Sequence, residues 1–423
     1  MKIRENILIA ELTTMQIGGP ARYVAEIETP QDIDTICRFA ETNLFPTFFL
    51  GGGANTIGHD EGYDGVIIKN AMRGIQELEY ESDQNTSFEG PKTRPSGPER
   101  PEKEAFGQDP HVHRLKIMGG EPWDNVVAYA CSKGYTGIEA LSKIPGSAGA
   151  APVQNIGAYG QDISHVFESA EVYDTVTKSY RTLSASDMQF SYRKSILNSS
   201  ARGRYFVLSI TLHLKTGQMQ RPFYNSIETY IEENHSTDFS PQGIREIVSA
   251  IRTAKLPDPA DQPNSGSFFK NIYLDWQEAE KAEEKGYPVH RGQDGNKINS
   301  GWLIEQAGFK GELIFGMRVC STASLVLINE SAYRYENLAK ARNYIASKVY
   351  DMFGYSLEQE PVEIMNPKKD YQAPGSTQFY HQLKGSSLNT NTPDNATTLP
   401  TFESNERLNN TPDDTTSKKG RKW

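Results

Sequence analysis

The chain has little of what marks secreted, membrane-bound or nucleic-acid-binding proteins. Its 423 residues include only three cysteines, which lie far apart and form no Cys-x-x-Cys pair, so neither a disulfide framework nor a thiolate metal site is expected. No run of about 18 apolar residues occurs, and we expect no membrane insertion and no signal peptide. The net charge of -10 argues against a nucleic-acid partner, because such proteins carry basic surfaces. These absences favour a reduced, cytoplasmic protein.

Hydrophobic content is also low, and two polar segments account for it. Only 37% of residues are hydrophobic, and the mean hydropathy is -0.60. Residues 81–107 are dense in Pro, Glu, Ser and Gly, and residues 366–423 are rich in Asn, Thr, Ser and Asp. Neither segment shows apolar periodicity, so burial cannot offset its ordering entropy. We predict an insertion loop and a disordered tail; a regulatory or partner-binding tail is the alternative.

The rest of the chain alternates between helical and strand patterns. Residues 47–50 are typical of a buried strand, and residues 204–214 alternate in the manner of a half-buried strand. Ser240 followed by Pro241 predicts a helix N-terminus. Four helices are predicted from apolar residues at helical spacing: Ile33/Ile36/Cys37/Ala40, Trp123/Val126/Val127/Ala130, Ile244/Ile247/Val248/Ile251 and Leu338/Ala341/Ile345/Val349/Met352.

Two glycine-bearing segments carry the first functional signal. Gly51-Gly52-Gly53-Ala54-Asn55 follows the predicted strand directly. Glycines here would let backbone N–H groups approach an anion, although a plain strand-end turn is an open alternative. The segment is not a Gly-x-Gly-x-x-Gly that opens a helix, so a Rossmann dinucleotide fold is disfavoured.

The second segment, residues 137–160, is long and rich in small residues. Such residues cannot fill an ordinary core, but they let a backbone wrap a large flat ligand at van der Waals distance. A flexible linker fits less well, because Ile, Val and Leu are interspersed and charge is nearly absent.

Together these and other motifs make the chain similar to the UDP-N-acetylenolpyruvoylglucosamine reductases, also called UDP-N-acetylmuramate dehydrogenases. The resemblance covers about residues 12–365. The matching motifs occur in the family's order: Thr13-Thr14-Met15-Gln16-Ile17-Gly18-Gly19-Pro20-Ala21, Gly51 to Asn55, Ile144-Pro145-Gly146 through Gly160, Tyr192-Arg193-Lys194-Ser195-Ile196, Lys255-Leu256-Pro257-Asp258-Pro259, Gly266-Ser267-Phe268-Phe269-Lys270-Asn271, Gly301-Trp302-Leu303-Ile304 and Leu357-Glu358-Gln359-Glu360.

The resemblance implies an α+β fold. An FAD-binding domain of the vanillyl-alcohol-oxidase type would occupy residues 1–214 as two lobes, and an α/β substrate-binding domain residues 215–365. It also implies a reaction in which FAD takes hydride from NADPH and reduces the enolpyruvyl ether of a UDP-sugar, a step of peptidoglycan precursor synthesis. We expect a monomer whose partners are this UDP-linked sugar and NADPH.

Three residues match the family's catalytic positions, and their chemistry suits the reaction. Hydride addition places negative charge on the enolpyruvyl carboxylate, and Arg193 offers a permanently charged donor fork. Ser267 matches the family's proton donor; a serine hydroxyl is a weak acid in water, so its neighbours must tune it. Glu360 matches the residue that stabilises or relays charge. A surface arginine, a turn serine and a solvated glutamate are the respective alternatives.

Other positions match the family's binding residues, and no metal ligand set is expected. The candidate substrate contacts are Tyr159, Tyr192, Tyr224, Lys255 and Asn271. The candidate cofactor contacts all belong to the two glycine-bearing segments: Gly51, Gly52, Gly53, Ala54, Asn55, Ile144, Pro145, Gly146, Ser147, Gly149, Ala150, Asn155, Gly157, Ala158 and Gly160.

Two positions depart from the family pattern inside the flavin motifs. Ala54 stands where serine is usual, which removes one hydroxyl. Lys143 stands where glycine is usual, so it would either crowd the flavin or pair with a phosphate. Two other functions stay open: an FAD oxidase of the same fold that uses O₂, and a non-catalytic UDP-sugar- or flavin-binding protein.

Overall fold

The computed structural model describes residues 1–79, 112–292 and 295–367, all within one compact unit, Met1–Leu383. The insertion predicted at 81–107 and residues 368–423 of the predicted tail lie outside these ranges. Within them, no helix is both long enough and apolar enough to cross a membrane.

The N-terminal region is a four-stranded sheet with one helix. The order in the sheet is β1-β2-β5-β3, with β2, β5 and β3 parallel. The elements are β1 (Lys2–Leu8), β2 (Pro20–Ile27), α1 (Pro30–Thr42), β3 (Thr47–Leu50), β4 (Thr56–Gly58) and β5 (Tyr63–Asn70). The predicted helix is confirmed, and Thr29 and Asp32 close its first turn as a capping box.

The middle region is an antiparallel sheet of six strands, in the order β12-β11-β13-β7-β6 with β8 paired to β13. Its elements are β6 (Ile75–Leu78), β7 (Val112–Met118), α2 (Trp123–Ser132), β8 (Tyr135–Thr136), β9 (Gly157–Ala158), β10 (Gln161–Asp162), β11 (Phe167–Asp174), β12 (Ser179–Ser184), α3 (Ala185–Met188) and β13 (Tyr205–Thr216).

Strand β13 was predicted to be half-buried, and this prediction was wrong. Nearly every residue from 206 to 214 is buried. A bulge at Leu208 interrupts the pairing with β11. Phe206 and Leu208 therefore pack into the core beside α1, whereas Ile210 and Leu212 pack into the core beside α2. Covering both faces buries the strand completely, which its alternating pattern could not indicate.

The C-terminal region combines two small sheets with five helices. The sheet orders are β14-β20-β19-β18 and β15-β17-β16. The elements are α4 (Asn225–Asn234), α5 (Pro241–Lys255), β14 (Asn264–Ser267), β15 (Ile272–Leu274), α6 (Trp276–Glu284), β16 (Val289–Gly292), β17 (Gly295–Ile298), α7 (Ser300–Gln306), β18 (Leu313–Ile314), β19 (Met317–Val319), β20 (Val326–Asn329), α8 (Tyr335–Phe353) and β21 (Val362–Ile364).

The helices predicted in this region are present, with one correction. Ser240 caps α5 by accepting from Gly243 N, as its sequence predicts. Leu338, Ala341 and Val349 on α8 are fully buried, but Met352 is 53% exposed and does not belong to that face. In the last turn of α8 it is Phe353, not Met352, that packs against the core, beside Tyr287 and Trp302.

The end of the described chain returns to its beginning. Strand β21 pairs in parallel with β4, and Asp60 accepts from Tyr335 N and Glu336 N at the start of α8. Asn366, which was assigned to the predicted tail, accepts from Asp64 N at 2.6 Å. These contacts hold the C-terminal region against the loop that follows β3, so residues from both ends of the sequence can form one site.

Candidate active site

The loop 51–55 packs against the second glycine-bearing segment. A Cβ at Gly51 would lie 2.7 Å from Ala150 Cβ, and one at Gly52 would lie 2.7 Å from Gly146 Cα. Gly53 has a φ of +71°, and a Cβ there would lie 2.0 Å from Leu12 O. Close backbone packing therefore requires these glycines, in addition to any approach of an anion.

One cavity of about 1550 Å³ runs along both segments. Pockets for drug-sized ligands measure about 300–1,000 Å³, so this cavity has room for a cofactor and part of a second molecule. It is lined by all the candidate cofactor residues except two, Asn155 and Gly160. Asn155 Nδ2 instead donates to Ser191 O, and its Oδ1 accepts from Ser164 N. Asn155 thereby holds the small-residue segment to the turn that contains Arg193.

Arg193 enters the cavity from a strained turn. Ser191 and Lys194 exchange backbone hydrogen bonds across the turn, and Arg193 has a left-handed φ of +52°. Its Nη2 donates to Gly157 O at 3.1 Å, and its Nε lies 3.3 Å from Glu360 Oε1. This ion pair lacks hydrogen-bond alignment, so Nε stays buried without a hydrogen-bond partner. A non-glycine residue held in this region stores strain, which is common at functional sites.

An isolated backbone bridge, Phe269 with Gln359, brings the segment that follows Ser267 against the segment that contains Glu360. Glu360 N donates to Phe268 O at 2.9 Å, and Lys270 N donates to Glu358 O at 2.8 Å. Ser267 is thus next in the chain to the residue that pairs with Glu360. Arg193, Ser267 and Glu360 all line the one cavity, although 167 residues separate the first from the last in the numbering.

The carboxyl group of Glu360 is subject to opposing influences on its pKa. Its side chain is only 9% exposed, and this burial raises the pKa of Glu360, while Arg193, Lys270 and the Gln154 amide oppose the rise. Opposed effects of this kind are common in catalytic groups, because burial disfavours the charged form and neighbouring cations restore it.

Gln154 is a member of this site that the sequence analysis did not single out. Its Nε2 donates to Glu360 Oε1 at 3.2 Å, and its Oε1 accepts from Asn55 Nδ2 at 2.8 Å. It therefore joins the glycine loop to the glutamate. The sequence feature that could have identified Gln154 is its position within the small-residue segment, where a long polar side chain is unusual.

The candidate substrate residues fall into two groups around the cavity. Tyr159 and Tyr224 pack edge to face, with ring centroids 5.8 Å apart. Tyr192 packs against Tyr273 at 4.6 Å, and Asn271 opposes the rise that burial causes in the pKa of Tyr192. None of the five candidate substrate residues, including the exposed Lys255, lines the described cavity wall.

Arg252, also absent from the sequence-based candidates, does line the cavity. It lies on α5 near Tyr159, where its charge opposes the rise that burial causes in the pKa of the phenol. Its Nη2 donates to Lys143 O at 3.3 Å. The sequence places Arg252 three residues before Lys255, but nothing in the pattern indicates which of the two cations faces inward.

Four buried polar atoms of the cavity wall have no partner within the described protein: Ser147 Oγ, Arg193 Nε, Arg252 Nε and Ser265 Oγ. Buried donors are normally satisfied, so this wall requires a ligand rich in acceptors. A Cβ at Gly146, where φ is +128°, would enter open space. A dinucleotide with a flat ring, carbonyl oxygens and a diphosphate meets both requirements, so the residues present fit FAD.

Fold and site thus define a flavin-dependent oxidoreductase, and comparison with known proteins agrees. An FAD binding domain matches residues 103–180, and the C-terminal domain of UDP-N-acetylenolpyruvoylglucosamine reductase matches residues 258–364. The reductase of Alcanivorax borkumensis is 37% identical over 84% of this chain and 94% of its own length. That of Amoebophilus asiaticus is 32% identical over 85% of this chain and 98% of its own length.

The chain belongs to the UDP-N-acetylenolpyruvoylglucosamine reductase family. The crystal structure of the Thermus caldophilus reductase shares the fold, with a TM-score of 0.53 over 86% of this chain and all of that one, at 19% identity. The α+β fold with an FAD-binding domain, predicted from the sequence, is confirmed, and the protein is an FAD-containing oxidoreductase.

Proposed function

We propose that this enzyme reduces UDP-N-acetylenolpyruvoylglucosamine to UDP-N-acetylmuramate, with NADPH as the hydride donor, in peptidoglycan precursor synthesis. The family relationship gives the substrate. The observation that supports it within the chain is the convergence of Arg193, Ser267 and Glu360 on one cavity that also holds the flavin-binding segments. Residues 1–214 would bind FAD, and residues 215–365 would bind most of the substrate.

Bound FAD supplies hydride transfer, from NADPH to the terminal methylene carbon of the enolpyruvyl group. Arg193 would hold the substrate carboxylate, on which negative charge develops. The Nε of Arg193 would be available to this carboxylate, because its contact with Glu360 is not a well-aligned hydrogen bond. A charge-assisted pair with an incoming carboxylate is stronger than such a contact.

Ser267 would deliver the proton to the carbon next to the carboxylate. Ser267 precedes Phe268, whose backbone oxygen accepts from Glu360 N, and both side chains belong to residues of the cavity wall. Glu360 would support the serine hydroxyl by accepting or returning a proton. Gln154 orients the Glu360 carboxylate by donating to it. Tyr159 and Tyr224 would contact the nucleotide part of the substrate, with Tyr192, Lys255 and Asn271 on its outer side.

A direct test mixes the FAD-loaded protein with NADPH and the UDP-enolpyruvyl sugar and follows NADPH absorbance, with the lactyl ether product identified by mass spectrometry. The expected result is oxidation of NADPH that requires the sugar and proceeds without O₂. NADPH oxidation that needs O₂ instead of the sugar would favour an oxidase of the same fold. Binding of the sugar with no turnover would favour a non-catalytic relative.

A further inference from the structure

Arg252 lines the cavity, and Asp124 acts on its charge from a distance without forming an ion pair. No Asp or Glu of the described chain forms an ion pair with it, although it lines the cavity and its Nε is buried. The contrast with Arg245, seven residues earlier on the same helix, is clear. Arg245 donates to both oxygens of Asp124, at 2.6 and 2.9 Å. A buried charge without a partner is costly unless a ligand supplies the opposite charge.

The neighbours of Arg252 orient it without neutralising it. One guanidinium nitrogen donates to the backbone oxygen of Lys143, and the same guanidinium opposes the rise that burial causes in the pKa of the neighbouring Tyr159 phenol. Both partners are neutral groups. They fix the plane of the donor fork and leave Nε to a molecule in the cavity.

Lys143 brings a second positive charge to the same end of the cavity. It is exposed at the rim and has a left-handed φ of +55°, a conformation that favours glycine. Asp124 accepts from its backbone N–H at 2.6 Å, and its Nζ reaches Thr253 Oγ1 at 3.1 Å. The ammonium group therefore lies over α5, one residue beyond Arg252, with a hydroxyl as its partner.

We propose that Arg252 binds a phosphate group of one of the enzyme's nucleotides, with Lys143 contributing a weaker contact at the rim. The proposal rests on the proposed function for the choice of nucleotides. The substrate carboxylate already has a partner in Arg193, so the remaining anions of FAD, NADPH and the UDP-sugar are phosphates. A planar guanidinium fork matches phosphate oxygens in geometry and charge. The same chemistry occurs in all three molecules, and experiment must separate them.

The test uses the FAD-loaded enzyme and three measurements: UDP binding and NADP⁺ binding by calorimetry, and FAD retention by release of flavin fluorescence. Arg252→Met removes the charge and keeps the aliphatic stem. We expect it to weaken one of the three nucleotides by at least about tenfold, as the loss of a hydrogen bond to a charged group implies, and to leave the other two near normal. Whichever one weakens identifies the source of the phosphate.

Two further variants keep the result interpretable. Arg252→Lys retains a charge and should lose less affinity for the same nucleotide; it also serves if Arg252→Met does not fold. Arg245→Met removes an arginine from the same helix that already has a carboxylate partner, so it should lower stability and leave all three affinities unchanged. Equal affinities in Arg252→Met and the native enzyme, or equal weakening in Arg252→Met and Arg245→Met, would overturn the proposal.

Lys143→Gly restores the residue that suits the backbone conformation and removes the rim charge. An exposed charge contributes little, so the expected loss for the same nucleotide is about fivefold or less, and it should disappear at high salt. UDP and NADP⁺ bind without turnover. Failure of the proposed reaction would therefore leave these binding results standing, and unchanged binding would not affect the assignment of the reaction.

Discussion

Arg193 and Arg252, two of the three arginines that line the cavity, differ in backbone conformation and in the groups that they contact. Arg193 comes from a strained turn and lies against Glu360. Arg252 comes from the regular helix α5 and, among the residues that the structure describes, forms no ion pair with a carboxylate. An arginine that already lies against a carboxylate can exchange that partner for the carboxylate of a substrate at small cost in free energy, so it can act during the reaction. An arginine that has no carboxylate partner is stabilised most by an anionic ligand that stays bound.

This contrast suggests a division of labour between the two arginines. Arg193 lies against Glu360 and would belong to the reaction centre together with Ser267. Arg252 lies beside Lys143 and Tyr159 and would anchor a nucleotide. Mutations around Arg193 should change kcat, and those around Arg252 should change KM or the affinity for a cofactor.

The largest expected effect is that of Arg193→Ala. Removing a preorganised group that stabilises developing charge typically costs about 10²–10³ in kcat. The loss should fall on the substrate-dependent half-reaction, measured by stopped-flow absorbance of the flavin, and reduction by NADPH should be near normal. A raised KM with unchanged kcat would show that Arg193 only anchors, and the contrast between the two arginines would fail.

Ser267→Ala should have the next largest effect. If Ser267 donates a proton to the substrate carbon, its loss slows the substrate-dependent half-reaction by at least about a hundredfold, the lower range for a positioned general acid. Flavin reduction by NADPH needs no proton from Ser267 and should hardly change. Stopped-flow measurement of both half-reactions separates the cases: equal slowing of the two would mean that Ser267 shapes the flavin site.

Gln154→Leu should have a smaller effect with a defined sign. The Gln154 amide donates to the Glu360 carboxylate and so favours its charged form. Burial already raises the pKa of Glu360, and loss of the amide should raise that pKa further. The inflection of the kcat–pH profile that belongs to Glu360 should then move to higher pH. This direction is the same whether the protonated or the ionised form of Glu360 is active. The change in kcat at any one pH should be about tenfold or less.

The control for this variant is Gln161→Leu. Gln161 directly follows the small-residue segment, and its side chain accepts from Ala140 N at 2.8 Å. It makes no contact with Glu360, so its loss should lower stability and leave the inflection in place. An unmoved inflection in Gln154→Leu would show that the glutamate takes its orientation from Arg193 alone.

The sequence predicted contiguous features well. The helix at Pro30–Thr42 and the strand at Thr47–Leu50 follow from local caps and periodicity, and the glycine loop follows from its position after the strand. The resemblance to a family placed Arg193, Ser267 and Glu360 without any knowledge of their contacts. Their roles stay predictions until the variants are measured, but their shared cavity is now visible.

Features that depend on long-range packing were not predictable in this way. The burial of both faces of β13 depends on a bulge and on two separate cores. Gln154 and Arg252 differ from other polar residues only through what folds against them, 206 residues away in the case of Gln154 and Glu360. Local pattern reports which face of an element is apolar, but not which polar side chain is enclosed by a distant segment.

The smallest expected effect is that of removing residues 368–423, which leaves both arginines in place. The sequence there lacks apolar periodicity, so neither arginine should lose a partner. The values of kcat, KM and the nucleotide affinities should therefore stay within about twofold of the native values, which corresponds to less than about 0.4 kcal/mol on the barrier.

Truncation after Gln359 is the informative contrast. It removes Glu360 and β21, including the fully buried Ile364 and the carboxylate of Glu363 that pairs with Arg342 and His59, and should abolish folding as judged by thermal melting. A loss of more than about tenfold in kcat/KM on removing 368–423 alone would place part of the site in the tail, and the division between the two arginines would then have to include it.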